Sequence, residues 1–184
     1  MRKLPEDFEL EKYGLKVKLV NYDNAEFILS LRSDRNRTRY MLTLKNNIEY
    51  QKKWIQKYKR REREGLDYYF IYYNLENKPI GLSRVSNISL IKKTAKDCSW
   101  IVEEGLKYEA IKMIIMRNEL VFNLLEINTL WGEVHKKNRR AIRILKLLGS
   151  KLKDVGTKYY DFSIIKKDFF EACENELVDK FKYS

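Results

Sequence analysis

The chain has 184 residues, enough for one ordinary domain, with 44 % hydrophobic and 35 % charged residues and a formal net charge of +12. No apolar run approaches the roughly 18 residues that span a membrane, and the opening MRKLPEDFEL lacks the apolar stretch of a signal peptide. Two distant cysteines, Cys98 and Cys173, with a single histidine, His135, exclude a disulfide framework and a metal cluster, so a cytoplasmic globular protein without a metal is expected.

In chain order, residues 15–20 (LKVKLV) alternate as a strand does. Asp23 is placed to cap a helix that carries Phe27, Ile28 and Leu31 on its inner face. A basic segment, RSDRNRTRYM, separates this helix from a second one over residues 47–64, ended by Gly65. Tyr50, Trp54 and Tyr58 recur every fourth residue along it and are expected to face the core. Residues 68–73 (YYFIYY) and 80–86 form strands around the turn residues 74–79, and residues 95–102 make another. A helix follows to about residue 125, with Ala110, Ile111, Ile114 and Ile115 apolar on one side. Then come a strand at 129–134 and a helix at 138–148 stopped by Gly149. Two strands flank the turn at 154–157, the longer at 159–165, and a polar helix from residue 168 closes the chain. The order predicts a mixed α/β sheet in a single domain, residues 1–184, with its core over about 15–165.

Basic residues concentrate at 32–39, 52–63 and 136–140, and such patches attract anions: nucleic acid, phosphorylated small molecules or acidic surfaces. The junction of strand and helix in WIVEEGLKYEAIKMI, residues 100–114, is the second place to look for an anion. A helix start offers unpaired N–H groups and about half a positive charge.

Several stretches in this order resemble the GCN5-related N-acetyltransferase (GNAT) family, and within it the ribosomal-protein and amino-sugar acetyltransferase branch. They are NYDNAEFILSLR, the aromatic–Met pair Tyr40-Met41, YQKKWIQKY, KPIG, WGEVHKKNRRAIRILKLLG and YYDFSIIKKDF. The resemblance implies a mostly antiparallel mixed sheet whose central strands, 95–102 and 129–134, splay apart, with flanking helices. It implies acetyl-CoA as co-substrate and an amine as acceptor. The pantetheine arm would lie in the split along Trp100, Ile101 and Val102, with the pyrophosphate at Gly105, Leu106 and Lys107. Asn138 would bond the pantetheine or cap its helix, and Arg140 would meet cofactor phosphates. Arg32, Tyr40 and Met41 would shape the acceptor side.

Two features depart from the family pattern, the pyrophosphate turn and the general acid. Glu103 stands where the pyrophosphate turn has its first glycine, and Val102 where it has Arg or Gln. A carboxylate about 6 Å from a phosphate charge costs roughly 3 kcal/mol at an effective dielectric near 20. Glu103 and Glu104 therefore either point outward at a helix start that favours acids, or one of them is the general base, or the turn has degenerated. Leu145 stands where the family often has a tyrosine acid; Tyr159 and Tyr160 are substitutes nearby. The expected activity is acetyl-CoA-dependent N-acetylation of a small amine, with a nucleotide-linked amino sugar foremost. A protein N-terminus or side chain is the alternative acceptor. The rival is a degenerate GNAT-fold binding protein, for instance for nucleic acid through residues 52–63.

Overall fold

The structure is a computed structural model and describes residues 3–41 and 46–183. One eight-stranded sheet runs β1 (Glu9–Lys12), β2 (Leu15–Leu19), β3 (Asp67–Tyr73), β4 (Pro79–Ser89), β5 (Thr94–Val102), β6 (Thr129–His135), β7 (Lys151–Asp154) and β8 (Tyr159–Ile165). Its spatial order is β1-β2-β3-β4-β5-β6-β8-β7, and every neighbouring pair is antiparallel except β5 with β6. The mixed, mostly antiparallel sheet expected from the sequence is therefore present.

β1 adds a strand that the periodicity did not announce. Its sequence ELEK offers one apolar residue, Leu10, which packs against the core, and the other three are charged and exposed at the sheet edge. Tyr13 and Gly14 turn the chain into β2 with φ of 57° and 71°, the two positive values a tight two-residue hairpin turn requires. Lys16 and Lys18 of β2 hold Glu9 and Glu11 across the pair at 2.6–3.6 Å. The first helix also begins differently from the expectation. Asn21, not Asp23, caps a 3-10 turn at Tyr22–Asn24: its Oδ1 accepts from the Asp23 N–H, and Asn24 Oδ1 accepts from the Asn21 N–H. Asp23 instead stands within that turn as an acid at a helix start.

The sheet has a different cover on each face. On one face lie α1 (Ala25–Ser33) and α3 (Ile48–Arg63), joined through the short α2 (Arg35–Thr38) and the segment after it. Ile28, Leu31, Ile55 and Tyr58 meet Tyr69, Ile71, Leu82 and Ile101 there. Of the aromatic row on α3, Tyr58 is buried and Trp54 partly so, whereas Tyr50 is half exposed and does not serve the core. This cover stops at β5. On the same side of β6 and β8, Trp131, Tyr159 and Ile165 are exposed.

The other face is closed by α4 (Lys107–Glu119), α5 (Arg139–Leu147), α6 (Lys166–Cys173) and α7 (Glu176–Tyr183). α4 is buried nearly all round and passes into a π-helical turn at Leu120–Leu124. The C-terminal segment is two helices rather than one polar one. Phe169, Cys173 and Val178 are buried, and Phe169 packs on Phe122 with ring centroids 5.3 Å apart. Among the described residues, no helix is long and apolar enough to cross a membrane.

The feature that positions the site is the β5–β6 pairing. It covers Thr94↔Thr129, Ala95↔Leu130 and Lys96↔Trp131 only. Beyond it, β5 continues against β4 to Val102 and β6 continues against β8 to His135, but not against each other. At the fork the strands are close: a Cβ on Gly132 would lie 2.7 Å from the Asp97 carbonyl oxygen and 2.8 Å from Phe162 Cζ. Just past it, Cys98 is an extra residue in β5, since Val85 faces Asp97 while Arg84 faces Ser99. Such a bulge bends and twists its strand, which turns β5 away from β6.

Candidate active site

A cleft of about 210 Å³ fills the fork. β5 forms one wall with Trp100, Ile101 and Val102, all three expected there from the sequence. β6 forms the other with Glu133, Val134 and His135. Asp97 and Phe162 make the floor, and Asn138, Arg140 and Leu145 close one end from the start of α5. Arg37, Tyr40 and Met41, from α2 and the chain after it, lie across the opening. Strand alternation explains β6: the pattern from Thr129 to His135 buries Leu130, Gly132 and Val134 and turns Trp131, Glu133 and His135 to the uncovered side.

The strand-to-helix junction lies beside these lining residues. Gly105 has φ of 85°, a left-handed conformation that favours glycine. Leu106 occupies the N-cap position of α4 and Lys107 opens the helix; no side chain caps this end. The first N–H groups of α4 are thus left without a side-chain acceptor. Neither Glu103 nor Glu104 is among the lining residues. The Glu103 N–H donates to Ile80 O at 2.9 Å, continuing the β4–β5 ladder, and its carboxylate meets Lys78 at 3.1 Å. The Glu104 side chain is 91 % exposed, 3.8 Å from Arg37.

Asn138 caps α5: its Oδ1 accepts from the Ala141 N–H at 3.2 Å, while the residue also lines the cleft. Replacing Asn138 by Ala should cost about 1 kcal/mol of stability, as loss of an N-cap does, visible as a lower midpoint in urea unfolding. Met41 lines the opening, and Arg32 stands behind it with Nη1 3.9 Å from the Met41 sulfur. Burial lowers the Arg32 guanidinium from its usual value. Leu145 does line the cleft, so no hydroxyl stands at that point of α5. Of the two tyrosines suggested as substitutes, Tyr160 sits under the Lys136 ammonium and Tyr159 lies edge-on to His135 at 5.2 Å.

Sequence reading gave His135 a structural role and did not single out Glu133 or Arg37. The Tyr40 ring stacks on His135 at 4.8 Å and joins the basic segment to the end of β6. His135 Nδ1 accepts from the Lys137 N–H at 3.1 Å, which places the proton of the neutral ring on Nε2. A usable signal existed for Glu133 and His135: both share the period-2 face of β6 that ends at Asn138. None existed for Arg37, which reaches the cleft only through the path of the chain after α1. The basic run 52–63 is partly neutralised on its own surface, with Lys52 on Glu49, Lys59 on Glu62 and Arg61 on Asp67.

The family profile for the acetyltransferase (GNAT) domain matches residues 16–151. The chain belongs to the GNAT acetyltransferase family. Among solved structures, it superposes on apo FdhC, a nucleotide-linked sugar GNAT, with a TM-score of 0.82 and 26 % identity, covering 94 % of this chain and 98 % of that one. The spermidine N-acetyltransferase of Vibrio cholerae, seen with CoA and spermine, gives 0.71 at 14 % identity over 85 % and 98 % of the two chains. A putative ribosomal-protein-serine acetyltransferase of Vibrio cholerae gives 0.73 at 15 % over 88 % and 99 %. No curated protein matches the chain in sequence. GNAT enzymes take their acyl group from acetyl-CoA; in this GNAT chain β5 and β6 part after Lys96↔Trp131.

Proposed function

We propose that this chain is an acetyl-CoA-dependent N-acetyltransferase acting in the cytoplasm on a small amine, foremost a nucleotide-linked amino sugar. The observation that carries the reading is the parting of β5 and β6 immediately after Lys96↔Trp131. Backbone groups past that point have no strand partner across the cleft, and they need one. An extended pantetheine arm supplies such partners. Beside the cleft, the uncapped start of α4, with Lys107 in its first turn, suits the pyrophosphate. Asn138 and Arg140 border the same arm from α5.

Acetyl-CoA supplies a thioester whose carbon accepts the amine and whose carbon–sulfur bond then breaks. The chain's own task is to deliver a neutral amine and to hold it. Glu133 is the carboxylate on the cleft wall, open to the uncovered side of the sheet, and we assign it the amine proton in place of Glu103 or Glu104. A backbone N–H of β5 aimed at the thioester oxygen would stabilise the charge that develops there. With leucine at position 145, the thiolate takes its proton from solvent. Tyr40 and Met41 shape the acceptor side, with Arg32 acting through Met41. An anionic acceptor fits the two arginines that line the cleft, Arg37 and Arg140, of which Arg140 forms no ion pair among the described residues. The likeness to a nucleotide-linked sugar GNAT at 26 % identity supports the sugar. Two free cysteines suit a reducing compartment.

The test is thermal unfolding with and without acetyl-CoA. Ligand at about 100 times its dissociation constant adds about 2.7 kcal/mol, or roughly 5–10 °C in Tm for a chain of this size. Thiol release is then measured against a panel of nucleotide-linked amino sugars, polyamines and peptides. No shift with acetyl-CoA would overturn the reading. A shift with turnover only on peptides would move the acceptor to protein.

A further inference from the structure

Below the floor of the cleft lies a charge pair that the proposed chemistry does not use. Arg117 of α4 donates through Nη1 to Asp97 Oδ1 at 2.8 Å and through Nη2 to Oδ2 at 2.7 Å. The two side chains are 0 % and 3 % exposed. Arg117 Nε and Nη2 also donate to the Asn118 side-chain oxygen, at 3.2 and 2.9 Å. A buried pair of this kind is a poor device for stability, because apolar side chains of similar volume serve as well or better. The rest of α4 shows that the apolar solution fits here: Ala110, Met113, Ile114 and Ile115 face the same core.

What distinguishes the pair is its place. Asp97 is the first residue past the last β5–β6 partner, Lys96↔Trp131. It lies in the cleft floor, its carbonyl oxygen is against Gly132, and it immediately precedes the extra residue Cys98. At this one residue β5 both leaves β6 and changes register against β4. A bulge is held where it is only by what its side chains meet. A one-residue slip would exchange the faces of every residue from Ser99 to Val102, placing Trp100 where Ile101 now points. We propose that Arg117, acting through Asp97, is a positioning residue that fixes the bulge and the fork, and so presents the β5 backbone to the cofactor arm. The guanidinium suits this task because its two parallel bonds fix the carboxylate in direction as well as distance. The inference rests on the acetyltransferase reading.

The protein contains its own control. Glu62 of α3 is a second buried carboxylate, held by Tyr58 and Lys59 and absent from the cleft lining. Asp97→Asn, Arg117→Lys and Glu62→Gln are made separately, and the dissociation constant for acetyl-CoA is measured by calorimetry where circular dichroism shows each folded. A fourth protein combines Asp97→Leu with Arg117→Met, which removes the pair without stranding a charge. Misplaced backbone at the fork should weaken acetyl-CoA by roughly 10- to 100-fold in the Asp97 and Arg117 proteins, the double variant included. Glu62→Gln, with a comparable fall in Tm, should stay within about twofold, as a site that shares no partner with the bulge does. Equal losses at the two sites would show a general effect of destabilisation and overturn the proposal. So would a double variant that binds like the parent, which decides the matter even if the single variants fail to fold. A parent protein that binds no acetyl-CoA would instead remove the acetyltransferase reading, and this proposal with it.

Discussion

Glu133→Gln lowers the turnover number by roughly 10²–10⁴-fold, the loss expected when a general base is removed. The dissociation constant for acetyl-CoA changes little, since Gln keeps the size of the side chain. The expectation follows from where the three glutamates of this region stand, the Asp97 carboxylate being taken up by Arg117. Glu133 stands on the cleft wall, and the nearest cation is Lys96 at 3.8 Å, too far for a tight hydrogen bond that would occupy the carboxylate. Glu103 is tied to Lys78 and Glu104 is in solvent. Glu103→Gln and Glu104→Gln should therefore leave turnover within about threefold, surface changes of this kind being worth only tenths of a kcal/mol. Steady-state kinetics of the three proteins against one acceptor separates the cases. Full turnover in Glu133→Gln would take the base away from β6.

Gly149→Ala has the largest expected effect on stability. Gly149 ends α5 with φ of 82°, and its N–H donates to Lys146 O at 3.1 Å, while the next N–H, of Ser150, donates to Leu145 O at 2.9 Å. That pair of bonds caps the helix and directs the chain into β7. A methyl group there would meet the Asp168 carbonyl oxygen at 2.6 Å and its carbon at 3.0 Å, both backbone atoms of α6. The left-handed conformation costs a non-glycine residue about 1–2 kcal/mol, and crowding against packed backbone adds about 1–3 kcal/mol. The sum, about 2–5 kcal/mol, should lower Tm by roughly 5–15 °C. Gly14→Ala separates the two causes. Its φ is 71°, yet no atom lies within 4 Å of the added carbon, so only the conformational part, about 1–2 kcal/mol, is expected. Equal melting points for the two variants would show that the Asp168 contact relaxes without cost.

The order of strands and helices was legible because most elements declare themselves locally. Val17 and Leu19 alternate with lysines, YYFIYY is dense in β-formers, and the α5 segment carries its own start and stop in Asn138 and Gly149. The edge strand β1 was not legible, since Leu10 is its single apolar residue and one position shows no period. Trp100, Ile101, Val102 and Asn138 were singled out by the family resemblance, and all four line the cleft; of these only the Asn138 cap has a local signal. Glu103 and Glu104 show the limit of that reading. Proximity to a helix start says nothing of direction, and the Ile80 carbonyl that binds the Glu103 N–H is the local event that turns its side chain toward Lys78. The Tyr40–His135 stack and the Asp97–Arg117 pair join residues far apart in the chain, and no local pattern announces either.

The open sheet ends in β1 and β7, and each presents a row of backbone groups to solvent. Both edges are only four residues long, Glu9–Lys12 and Lys151–Asp154, and three of the four side chains in each are charged. Another strand approaching either edge would have to desolvate those charges for at most four residues of pairing. Short, charged edges of this kind are poor templates for addition of a further strand. The architecture thus keeps an open sheet from growing by edge-to-edge association, and the fork between β5 and β6 leaves extended backbone without a strand neighbour in the interior of the sheet rather than at its edge.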